Sequence, residues 1–176
     1  TDEFVDEHGM TGVWAAFNGK WKPFFRRQVT GMDPDSAPNT ITIDVPLRYP
    51  MKTRDQASAR KEVGYLEEVG VIDLGLSNAV QWDQAWTNNQ VHVLELRGTK
   101  DSFVSGVRSF PTPGAQQREE HPPHLQNGGI IVKDSKRITI QDSVMEYAQN
   151  RGGGGCGYLF EIRTSSEILT KDCVGR

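Results

Sequence analysis

The sequence predicts an all-β fold in which the chain winds through stacked parallel coils. Three observations predict it: a short recurring pattern, a column of turn-forming residues within that pattern, and a gap-free overlay of two longer segments. The pattern occurs in "LGLSNAV" (74–80), "ITIQDSV" (138–144) and "ILTKDCV" (168–174), and more loosely in "SFVSGVR" (102–108). The fifth positions are Asn78, Gly106, Asp142 and Asp172, at steps of 28, 36 and 30. Gly, Asn and Asp visit the left-handed backbone region at least cost, so each can turn one strand sharply into the next. Four such corners at near-regular intervals imply repeated coils.

The overlay extends the register. "IIVKDSKRITIQDSV" matches "FEIRTSSEILTKDCV" at a step of 30, placing Ile130 on Phe160, Val132 on Ile162, Ile138 on Ile168 and Val144 on Val174. "VHVLELRGTKDSFVSGV" repeats the same order of strand, polar turn and strand one coil earlier. Equivalent strands then run parallel. The expected interior is Leu74, Leu76, Val104, Ile138, Ile140 and Ile168, with Ala79, Ser143 and Cys173 stacked just past the corner. No coil buries its inner face alone, so stability grows by stacking.

Ahead of the coils, residues 1–38 read as a leader or capping segment. Asp2, Glu3, Asp6 and Glu7 suit the first turn of a helix. The aromatic remainder, "WAAFNGKWKPFF", suits a plug over a core better than a sugar-stacking platform. The coils are assigned to residues 39–176, with "NTITIDVPLRYP" as a first strand whose alternating Ile41, Ile43 and Val45 end at an edge, because Pro46 lacks a ladder donor. "RDQASARKEVGYLEE" fits either a short helix or a polar excursion.

Composition excludes several classes of partner. The 176 residues are 36% hydrophobic and 24% charged, enough for a core. A net charge of −3 offers no global attraction for nucleic acid. No apolar run approaches the ~20 residues of a membrane span. The start at Thr1, with no signal peptide in view, fits a processed or excised piece. Cys156 and Cys173 read as ordinary thiols rather than a disulfide, and the His121/His124 pair in "EEHPPHLQ" as a solvated loop rather than a metal site.

The coil pattern resembles the right-handed parallel β-helix of the pectate-lyase-like superfamily over about residues 69–176. That resemblance implies an extracellular or cell-surface protein associated with carbohydrate. It also implies, if the protein is an enzyme, a polysaccharide lyase or glycoside hydrolase. Lyases of the superfamily pair an arginine or lysine base with acidic residues, often through calcium, which makes Ca2+ the one cofactor to consider. Hydrolases on the fold use clustered carboxylates. None of the diagnostic lyase or polygalacturonase motifs is present.

The site is sought in two long loops expected at one edge of consecutive coils, residues 111–128 and 147–157, because function concentrates in long loops on a rigid scaffold. Their glycines, "NRGGGG", either let the backbone bulge freely or present bare N–H groups to a ligand. The catalytic candidates are Arg151, Glu146 and His121. The substrate-binding candidates are Arg118, His124, Arg108 and Asn150. Asp142 and Asp172 carry charge as well, but their corner role already explains them. The competing expectation is a non-catalytic adhesin or spike whose side face binds glycans or sister subunits. "CVGR" supplies no cap, so a second chain stacked on the open C-terminal coil is a further expected partner.

Overall fold

The computed structural model describes residues 2–9, 23–88, 90–152 and 155–176. The chain forms two units, Thr1–Val63 and Gly64–Arg176. In the first, helix α1 (Asp2–Glu7) forms where the acidic first turn suggests. The Ile41/Ile43 alternation does make a strand, β2 (Thr40–Ile43), but it pairs antiparallel with β1 (Val29–Asp33) in its own two-stranded sheet. It therefore does not begin the coils. Phe4 meets Tyr49 edge-on at 5.4 Å. Buried Arg26 is neutralised by Glu62 at 3.0 Å. The stretch from Arg54 holds only a 3₁₀ turn, Thr53–Asp55. The aromatic tract over 10–22 lies outside the described residues.

The second unit is the solenoid. Its strands are β3 (Leu66–Glu67), β4 (Gly70–Ile72), β5 (Gly75–Leu76), β6 (His92–Arg97), β7 (Thr99–Ser105), β8 (Arg108–Ser109), β9 (Gly128–Lys133), β10 (Lys136–Gln141), β11 (Val144–Met145), β12 (Phe160–Arg163), β13 (Ser166–Lys171) and β14 (Val174–Gly175). Three parallel sheets run along the stack: β13-β10-β7 with β3 and β4, then β14-β11-β8-β5, then β12-β9-β6. Together they make about three turns of a parallel β-solenoid in a chain with 8% helix. The predicted overlay is the observed register, with Ile138 paired to Ile168, Ile130 to Phe160 and Val144 to Val174.

The corner column also forms, with one member replaced. Gly106, Asp142 and Asp172 have φ of 67°, 51° and 51°. The first-coil member is Asp73, φ 50°, because Val71 pairs with Val104 and Gly75 with Arg108. Asn78 lies beyond the corner, in the following loop. The shift carries its neighbours along: Leu74 is 43% exposed and Ala79 does not stack past the corner, whereas Leu76 packs on the core as expected. The true step from first to second coil is 33, seen in the pairing of Val69 with Ser102.

Two more left-handed columns exist. One holds Gly98, Asp134 and Thr164; the other holds Glu68, Asp101, Arg137 and Glu167. Three corners per coil give the solenoid its three faces. Four of the eleven corners are followed by serine, and the reason is a hydrogen bond. At a corner the backbone turns out of its ladder, and the next hydroxyl restores the missing bond. Ser102, Ser135, Ser143 and Ser165 each accept the equivalent N–H one coil earlier, from Val69, Thr99, Val107 and Ser135, at 3.1–3.2 Å. Each hydroxyl then donates to its own chain two residues back, at 2.7–2.9 Å. Val104, Val107, Ile130, Val132 and Ile140 fill the interior with no solvent exposure.

Candidate functional site

Three long connections leave the β5-β8-β11 sheet and return to the β6-β9-β12 sheet, so they lie at one edge of successive coils. They span 77–91, 110–127 and 146–159. The sequence pointed to the second and third; the first joins them. Its docking is built from buried amides. Gln149 accepts from the Val80 N–H at 3.0 Å and donates back to the Val80 carbonyl at 2.7 Å. Asn127 and Asn150 both donate to the carbonyl of Ala85, at 3.2 and 3.0 Å. Asn78 accepts from Gln126 N–H at 3.0 Å. A 3₁₀ turn, Trp82–Trp86, is thereby pinned against the other two loops, with its two indoles 6.0 Å apart.

The three loops meet at a shallow, open depression with a cavity volume of only about 10 Å³, lined by Trp82, Arg118, Glu119, His121, Pro123, Tyr147 and Gln149. That is room for about one water, so the depression is a feature of the surface and not a pocket that encloses a small molecule. His121 stacks on Tyr147 with ring centres 4.5 Å apart. Trp86 lies beside the cleft, half exposed, against the backbone of Gly152.

The structure brings some predicted residues together and separates others. Arg151 reaches from the third loop to the second and grips both oxygens of Glu119, at 2.6 and 2.7 Å. Arg118 lies in the cleft, 3.9 Å from the exposed carboxylate of Asp83. His121 is exposed on the cleft wall. Glu146 is paired with Arg176 at 2.5 Å and does not line the cleft. His124 is 5% exposed and shares a hydrogen bond between its Nδ1 and the Ser109 hydroxyl at 2.9 Å. Burial holds its imidazole below the usual range, partly opposed by the Glu146 charge. Asn150, 3% exposed, anchors the tryptophan turn from inside. Arg108 is exposed on β8, a strand of the sheet rather than one of the loops.

Sequence reasoning passed over Trp82, Trp86 and Tyr147. The spacing of Trp82 and Trp86 in "QWDQAWTN" was the available signal, since one helical turn places both on one side. Gly153 and Gly154, the centre of the glycine tract, lie outside the described residues. Among the described residues, no group of three or more His, Cys, Asp or Glu is arranged to hold a metal ion, and Cys156 and Cys173 are not joined in a disulfide. No described helix is long and apolar enough to cross a membrane. No family model, curated protein or solved structure matches the chain.

Proposed function

We propose that the solenoid binds a polysaccharide along its loop edge, at the cleft formed by Trp82, His121 and Tyr147. The observation that carries this is three aromatic rings beside an arginine and a carboxylate in one open depression. Rings with electron-rich faces attract the polarised C–H groups on the flat side of a pyranose, and Arg118 and Glu119 supply a donor and an acceptor for its hydroxyls. A shallow cleft on a repetitive side wall also suits a polymer better than an isolated small molecule. The resemblance to the pectate-lyase-like superfamily fits this reading at the level of the coil and supports an extracellular or surface setting.

Binding without cleavage is the reading the charges favour. Glu119 is held by Arg151, Glu146 by Arg176, and Asp83 faces Arg118. Each of these three carboxylates therefore has a cationic partner. Cleavage is the second reading, supported by Glu119 and His121 sharing the cleft lining.

Calorimetric titration with cellohexaose, mannohexaose and hexagalacturonate tests the proposal. One of the three should bind, and Trp82→Ala should weaken that binding about tenfold or more, the loss of roughly 1.4 kcal/mol. No binding by any of them, or undiminished binding by Trp82→Ala, would refute it. New reducing ends, or the absorbance of an unsaturated product, would establish the enzymatic reading instead.

A further inference from the structure

The left-handed residues of the solenoid sort into the three corner columns with few left over. Among the described non-glycine residues of this unit, only Gln90 and Tyr147 have positive φ outside those columns. Tyr147, at φ 52°, is the one aromatic residue in that set. A bulky side chain pays most in this region, where Gly or Asn would be relaxed. Coil geometry does not demand it. Val144 pairs with Arg108, so counting onward sets Tyr147 level with Pro111, whose ring fixes a negative φ.

The surroundings hold Tyr147 in this state from both sides. Its N–H donates to the Arg176 carbonyl at 2.8 Å, and its carbonyl accepts from His124 N–H at 3.0 Å. Its ring meets the His124 ring edge-on at 4.9 Å, while His121 lies over it at 4.5 Å. His124 is itself fixed in the interior by Ser109. The strained residue lines the cleft, with a buried imidazole as its backstop.

We infer that Tyr147 is the anchoring residue of the site, held in a strained backbone conformation so that its ring and the His121 ring lying over it form one rigid platform for the apolar face of a sugar. This rests on the glycan reading above. Strain persists only where surrounding contacts over-determine it, and it concentrates where a ligand is gripped. A ring immobilised before binding loses little entropy when the sugar arrives. The fold would be served as well by a smaller residue with a left-handed preference; the ligand would not.

Three variants test this, titrated with the same cellohexaose, mannohexaose and hexagalacturonate and melted in parallel. Tyr147→Asn relaxes the backbone and removes the ring. It should lose about tenfold or more in affinity, while its melting temperature stays within about 4 °C of the wild type or rises. Tyr147→Phe should bind within about threefold of wild type, since the ring remains. A melting temperature for Tyr147→Asn that falls by more than about 4 °C would mean the ring serves the fold, and would overturn the inference. So would Tyr147→Asn binding as well as wild type while Trp82→Ala does not; that outcome leaves the glycan reading standing. If wild-type protein binds none of the three sugars, the glycan reading fails first and the inference falls with it.

Discussion

Replacing Ser143 with alanine probes the device that lets the coil turn corners. The Ser143 hydroxyl accepts from the Val107 N–H at 3.2 Å and donates to the Gln141 carbonyl at 2.8 Å, with no exposure to water. Alanine removes both bonds. The Gln141 carbonyl keeps another donor, the Gly106 N–H at 3.2 Å, so its loss is partial. The Val107 N–H loses its acceptor inside a dry interior, since Val107 is also fully buried. Leaving one buried donor unsatisfied costs about 1–3 kcal/mol, and the small volume change adds little. The expected loss is therefore about 2 kcal/mol, or a fall of about 4–8 °C in melting temperature for a chain of this size. Urea unfolding followed by circular dichroism should show a lower midpoint with an unchanged slope. Ser143→Cys is the internal control, because Cys173 occupies the same place one coil later and donates to the Lys171 carbonyl at 3.3 Å. It should fall between serine and alanine. A loss below about 0.5 kcal/mol for Ser143→Ala would refute the reasoning, since that is what an inconsequential surface change costs.

Other perturbations follow from the same structure. Gly129→Ala should destabilise severely, because its Cβ would sit 2.2 Å from the Leu159 carbonyl oxygen; a poorly expressed or low-melting protein is expected, and a wild-type melt would contradict the packing. Burial holds His124 below its usual range in the fold, so as pH falls the unfolded chain takes up the proton first. Stability should therefore fall as pH drops below about 6.5, and His124→Gln should flatten that dependence between pH 8 and 5. The Arg137 guanidinium holds the Asp101 carboxyl below the carboxylate range. That contribution is present above about pH 4 and is lost as pH falls through the lowered value. Arg137→Gln should remove this part of the acid dependence, read from melts between pH 5 and 2.

The coil was legible where its signal is local. Aspartate or glycine closing a strand of alternating apolar residues marks a corner by local preference, and it located Gly106, Asp142 and Asp172. The same signal misled at Asn78, because "LGLSNAV" imitates the pattern five residues late. Only the pairing of Val71 with Val104 distinguishes Asp73 from its imitator. Likewise, alternation at Ile41 and Ile43 specified a strand but could not name its partner, which proved to be an antiparallel neighbour. Of the candidate site, the meeting of the second and third loops was foreseen, and Arg151 with Glu119 joins them. His124 and Asn150 were read as surface groups, yet their environment is interior. Polar residues in loops look alike in sequence whether they face water or hold the loop from below.

The sequence by itself determined the winding of the later coils: the corners at Gly106, Asp142 and Asp172, and the steps of 36 and 30 that stack those coils on one another. Those properties follow from backbone preferences of one or two residues and from the periodicity of apolar side chains. Which coil edge gathers Trp82, His121 and Tyr147 was decided by tertiary structure alone. Those rings converge because Gln149 grips Val80 across 69 residues of chain, a contact set by unequal loop lengths that no local preference encodes.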